Sequence, residues 1–266
     1  MTTEDNRQPL LSLRNLRVTL LLGALLFFGL TALHQSVYTR SWNQALHGVI
    51  LPINADGHLR TADYIATLKD RHFKEIESWA TREAERHNLT LDKPLTVSLG
   101  PQITTLPPAF PTNDHPFYVV LWGLRFRWWA YRNTPEMDLD ATTVRLFVMY
   151  HEADGDKPLA HSLGMQKGLL GLVHVFATPS QSAQNNIVIA HEMLHTVGAI
   201  DKYQDWGGPI YPVGFANPER VPLFPQRNAE IMAGRIAVSH GQFYMAESLK
   251  SVIINEYTAA EINWLE

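Results

Sequence analysis

The run His191-Glu192-Met193-Leu194-His195 carries the sharpest chemistry in the chain. Residues four apart lie one turn above each other on a helix, so both imidazoles reach one metal ion. Glu192 is rotated about 100° from His191, near enough to meet a water polarised by that metal without ligating it. Such an arrangement suits hydrolysis of an unactivated amide. Zinc lowers the pKa of its water to about 7 and polarises the scissile carbonyl, and the carboxylate takes the proton. With 12 His and 14 Glu in 266 residues, the pattern arises by chance roughly 0.03 times. The plainer alternative is a buried helix whose two histidines make ordinary hydrogen bonds.

Two histidines leave a catalytic zinc one protein ligand short. The chain has no cysteine, so disulfides, thiolate zinc sites, iron–sulfur clusters and cysteine nucleophiles are excluded, and the third ligand must be His or carboxylate. Gly198 can take a left-handed conformation, end the helix and turn the chain back, which places Asp201 to supply an oxygen. The alternative for Asp201 is a loop carboxylate paired with Lys202. Glu219, Glu230 and Glu247 are the fallback ligands.

The extended pattern His191-Glu192-x-x-His195-x-x-Gly198-x-x-Asp201 resembles the metzincin clan of zinc endopeptidases, in the snapalysin-type variant with Asp as third ligand. The resemblance covers these 11 residues and a short Met-turn candidate. It implies a metzincin-like, α+β zincin fold with a mixed sheet and an active-site helix, a Zn2+ cofactor, and a peptide or protein substrate lying extended along a sheet edge. It also implies a Met-turn beneath the histidines, for which Ile231-Met232-Ala233-Gly234 is the candidate; Met232 as plain core is the alternative. Some members carry a tyrosine two residues after that methionine, where this chain has Gly234. Tyr203, Tyr211 and Tyr244 are therefore the candidates for stabilising an oxyanion.

The elements that must position these residues follow from pattern. Val49–Ile53, Leu95–Leu99, Val144–Tyr150 and Gly171–Phe176 read as strands, and Ser182–Val197 as the helix under the motif. Ala62–His87 has no Gly or Pro and reads as one amphipathic helix. Phe117–Trp122 reads as β-like, and Leu124–Tyr131 alternates Arg with apolar residues as a half-buried strand does; a membrane-surface patch is the minor reading of that segment. Asp154-Gly155-Asp156 with Pro158 marks a loop. Between Asp201 and Met232, five prolines and three glycines mark a long connection. Trp206, Tyr211, Phe215 and Phe224 would either line a substrate cleft or pin that connection to the body. Thr258 with Glu261 fits a capping box opening the last helix. His161, His174 and His240 fall outside any ligand spacing.

From Val18 to Thr39 there are 22 uncharged residues, about 33 Å as a helix against a hydrocarbon core of about 30 Å. Cleavage after Ala32 is disfavoured by Leu30, so an uncleaved signal anchor is expected, with Tyr38 and Trp42 as its aromatic belt. Arg7, Arg14 and Arg17 precede it, which keeps residues 1–17 cytoplasmic and places 41–266 periplasmic or extracellular as one catalytic domain. Residues 1–40 carry four Arg against Glu4 and Asp5, so of the net −4 the remainder holds −6. An acidic domain of this kind argues against nucleic acid as partner. The expected function is a membrane-anchored zinc peptidase with Glu192 as general base. Two alternatives stand beside it: a tethered metal-binding scaffold or assembly factor, and a non-haem Fe(II) enzyme using the same two-His, one-carboxylate set.

Overall fold

Alternating and fully apolar runs of β-branched and aromatic residues build one sheet, seen in a computed structural model that describes residues 13–111, 115–137, 139–140, 142–153, 162–165 and 168–265. Strands β1 (Leu46–Asn54), β2 (Leu95–Leu99), β3 (Val144–His151), β4 (Leu163–Met165) and β5 (Leu170–Phe176) lie in the order β2-β1-β3-β5-β4. The first four in that order are parallel, and β4 is antiparallel to β5. The class is therefore mixed α/β with a mixed sheet. The central strands are buried on both faces, which explains their unbroken apolar runs.

Helix α1 (Leu13–Thr39) precedes the sheet and is long and apolar enough to cross a membrane, with a mean hydropathy of 2.1 over its most apolar stretch. Trp42, read above as part of an aromatic belt, is instead buried. Its ring meets Trp264 edge-on at 5.5 Å and its Nε1 donates to the Ile262 carbonyl at 2.6 Å. Tyr38 is partly exposed.

Ala62–His87 is not one helix. Helix α2 (Leu59–Thr67) stops at Leu68, a short 3₁₀ turn follows, and α3 covers Lys74–Arg86. Leu68 and Phe73 are both buried, yet five residues apart on a continuous helix they would face about 140° away from each other. The break brings both into the core.

The strands expected at Phe117–Trp122 and Leu124–Tyr131 are likewise a single helix, α4 (Pro116–Asn133). Pro116 stands at its first position and His115 caps it by accepting from the Phe117 amide. Trp122, Phe126 and Ala130, spaced four apart, are the side chains it buries against Phe147 and the back of the sheet. Apolar residues on its outer face as well let the sequence fit a period of two.

On the other face of the sheet lie α3 and α5 (Ser182–Thr196), over the main core. The C-terminal part is irregular, with the pair β6 (Ala229–Glu230) and β9 (Val252–Ile253), the hairpin β7 (Arg235–Ser239) and β8 (Gln242–Met245), and α6 (Glu256–Glu261). Asn255, not Thr258, caps α6; Thr258 is its third residue and donates to Glu230 Oε1. The expected loop at 154–158 and His161 lie outside the described residues.

Candidate metal centre

Helix α5 presents His191 and His195 one turn apart, as the spacing requires, and ends just before Gly198, whose φ of 108° lets the chain reverse. The reversal returns Asp201 to the two imidazoles. His191 Nε2 and His195 Nε2 are 3.0 Å apart, and Asp201 Oδ1 lies 3.0 Å from the first and 3.1 Å from the second. Lys202 does not pair with Asp201; it turns away to Glu261.

The protons decide what this triangle is for. His191 Nδ1 donates to the Ile231 carbonyl at 3.0 Å, and His195 Nδ1 to the Ala199 carbonyl at 2.8 Å. With both rings neutral, both Nε2 atoms present lone pairs, and a carboxylate oxygen joins them. Three lone pairs at these separations need a positive charge among them, either a proton on His191 Nε2 shared with Asp201 or a metal ion in its place. A tetrahedral zinc with bonds of 2.0–2.1 Å spaces its ligand atoms by about 3.3 Å, so this donor set fits with small adjustment. Asp201 is 45% exposed, which leaves one side of the cluster open, as a catalytic rather than a closed structural site needs.

Electrostatics agree. Burial pulls the His191 imidazole down, but its hydrogen bond to Asp201 and the charge of Glu192 outweigh this and raise it to about 9. Burial also lifts the Asp201 carboxyl, and the two histidines more than reverse that, holding it well below the usual carboxylate range. The cluster favours a positive charge at its centre.

Glu192 is buried beside the histidines, and its Oε2 has no hydrogen-bond partner among the described residues. Burial raises its carboxyl, against the pull of His191 and His195. Its near neighbour is Gly164 on the edge strand β4. A Cβ there would stand 2.5 Å from His195 Cβ and 3.1 Å from Glu192 Oε2. Only glycine lets the strand approach the helix this closely, a requirement that no sequence pattern announced.

The turn at Met232 backs onto the site through its main chain. Ile231 supplies the carbonyl that holds His191, and Met232 supplies one that accepts from the Lys202 amide at 3.0 Å. Met232 itself is fully buried, and Gly234 closes the turn at φ 66°. Glu230, a fallback ligand, serves this turn instead. It is fully buried and accepts from the Met232 and Ala233 amides and from Thr258. Glu219 and Glu247 are exposed and absent from the metal-ligand cluster.

Of the three tyrosines, Tyr203 alone adjoins the site, its ring 6.3 Å from that of His191. Burial, then the charges of Asp201 and Glu192, push its hydroxyl up to about 12. Tyr211 packs on Phe215 instead, and Tyr244 is exposed on β8. Beside Tyr203 opens a cavity of about 370 Å³ lined by Trp206, Ala233 and Arg235. Phe215 and Phe224 meet edge to face and, with Asn255 donating to the Val213 and Phe215 carbonyls, pin the connection to the body. The two readings of that loop thus divide between its residues: Trp206 borders the cavity, while Phe215 and Phe224 pin.

His174 forms a hydrogen-bonded pair with His151 at 2.9 Å, and His240 is exposed. Compared with known proteins, the chain matches no family model and no curated protein sequence.

Proposed function

We propose that this chain is a membrane-anchored zinc peptidase of metzincin-like build. The observation that carries the reading is the convergence of His191 Nε2, His195 Nε2 and Asp201 Oδ1 within 3.1 Å, with both Nδ1 protons held by carbonyls. These three residues hold the metal. Zinc bound there supplies Lewis acidity, lowering the pKa of water to about 7 and polarising a carbonyl oxygen.

Glu192 takes the proton of the attacking water and passes it to the amine as the C–N bond breaks. Its burial, with a raised carboxyl, suits a group that must both accept and release that proton. Tyr203, whose ring lies 6.3 Å from that of His191, donates its hydroxyl to the carbonyl oxygen as charge develops there. The mixed sheet supports the zincin-like reading, because its antiparallel edge strand β4 runs directly beside Glu192 and His195. An extended peptide adding to that edge would present a main-chain carbonyl to the cluster. The three arginines ahead of the apolar run in α1 support a cytoplasmic N-terminus and a catalytic domain on the far side of the membrane.

Metal analysis of protein purified without added metal separates zinc from iron. A peptide-library digest with the wild type and with Glu192→Gln separates an enzyme from a scaffold, since a scaffold cleaves nothing in either form.

A further inference from the structure

The outer face of α4 has no cover among the described residues. At 100° per residue, Phe117, Val120, Leu124, Trp128 and Tyr131 fall within an arc of about 80°. All five are exposed, Trp128 by 61% and Tyr131 by 74%. Arg125 and Arg132 flank this stripe on one side and Arg127 on the other, and the helix has no acidic residue. The rest of the domain is acidic, since residues beyond 40 together hold −6. A helix apolar on opposite faces is expected to be covered on both.

The topology says which end of α4 lies near α1. The chain crosses from the end of β2 to the start of β3, so α4 runs back against the strands. A Cβ on Gly168, two residues ahead of β5, would stand 3.7 Å from Arg127 Nε. The later turns of α4 therefore lie at the end where the strands begin. Helix α1 feeds β1 at that same end, with only residues 40–45 between them. Arg40 Nη2 donates to the Glu261 carbonyl at 2.6 Å and Trp42 is buried, so the link is short and fixed.

We propose that α4 is a second membrane contact: its exposed stripe lies in the interface of the bilayer that holds α1, with Arg125 and Arg132 against anionic headgroups. Tryptophan, tyrosine and arginine on one exposed face are the composition of an interfacial helix. The positive charge of α4 within an otherwise acidic domain selects the helix for that surface. The inference rests on reading α1 as membrane-spanning.

The absence of cysteine allows the test in the full chain. Trp128→Cys, with Tyr131→Cys as a repeat, is labelled with an environment-sensitive fluorophore; Leu59→Cys, 81% exposed at the far end of β1, is the reference. The labelled chains are reconstituted at low density in vesicles of phosphatidylcholine and phosphatidylglycerol. The expected result is a blue-shifted signal, shielded from aqueous iodide, at 128 and 131 but not at 59. Arg125→Gln and Arg132→Gln should each weaken the contact about fivefold. A label at 128 as water-exposed as the one at 59, in chains that resist carbonate extraction, overturns the docking while leaving the anchor intact. Protection that appears only at high chain density, assigning the face to a second copy, or only with added cell extract, assigning it to a protein partner, overturns it too. Chains that carbonate washes off overturn the anchor and the docking together.

Discussion

Lys202 Nζ lies 2.6 Å from Glu261 Oε2, and the lysine side chain is only 2% exposed. The same carboxylate oxygen accepts from the Ile200 amide at 3.0 Å, so one side chain of α6 holds both residues that flank Asp201. The Glu261 carbonyl in turn accepts from Arg40 at the base of α1. Helix α1, the last helix and the Asp201 loop are thus joined through a single residue. Glu261→Ala leaves a buried ammonium unpaired and is expected to cost about 3 kcal/mol, a drop of roughly 6–12 °C in Tm. Zinc affinity should fall with it, because the Asp201 loop loses its fastening. Thermal melts with and without zinc, beside a zinc titration, check both effects.

Asp201 and Tyr203 are near neighbours with separable roles. Asp201→Ala removes a ligand and should weaken zinc binding by about a hundredfold or more. Tyr203→Phe removes only the hydroxyl, so zinc should stay bound while kcat falls by about 10²-fold. Equilibrium dialysis for zinc together with steady-state kinetics on each variant distinguishes the two. Equal zinc loss in both would remove Tyr203 from the catalytic role.

Gly164 is where strand and helix meet most closely. In Gly164→Ala the new methyl would fall 2.6 Å from the Glu192 carbonyl and 2.5 Å from His195 Cβ, neither of which is a flexible side-chain end. Overpacking of this kind costs about 1–3 kcal/mol. Activity should drop more than stability suggests, since the displaced groups are the proposed base, Glu192, and a proposed ligand, His195. The comparison of kcat/KM with urea midpoint for this variant tests it.

His174 and His151 form a pair away from the metal centre. Burial, then the adjacent His151, push the His174 imidazole down to about 4, and burial lowers His151 as well. Unfolded histidine binds its proton near 6.5. A base depressed by folding contributes stability that is present above 6.5 and is lost as pH falls toward the folded value. The urea midpoint should therefore fall between pH 6.5 and about 4, and His174→Gln should flatten that part of the curve. A wild-type midpoint that does not change over this window would contradict the assignment.

The site was legible where local rules act alone. The His191–His195 helix needs only the 3.6-residue period, and the reversal at Gly198 only a glycine at the helix end. Strands β1, β3 and β5 announced themselves because both their faces are largely buried, and β2 because buried Leu95 and Val97 alternate with half-buried Thr96 and Ser98. What escaped depends on distant partners. Helix α4 offers apolar residues at both periods, and only the sheet beneath it selects Trp122, Phe126 and Ala130. The break between α2 and α3 shows in the five-residue step from Leu68 to Phe73, a signal present in the sequence but overridden by the lack of Gly or Pro. The Lys202–Glu261 pair spans 59 residues, and the requirement at Gly164 comes from a helix that follows it in the chain; neither leaves a local trace.

Zinc content and peptide cleavage, measured side by side for the wild type and Glu192→Gln, test the central claim most directly. Both proteins should bind zinc, because the proposed ligands are His191, His195 and Asp201. The wild type should cleave peptides from a library, and the variant should lose about 10²–10⁴ in kcat. A zinc-loaded wild type that cleaves nothing, or a Glu192→Gln form as active as the wild type, would contradict it.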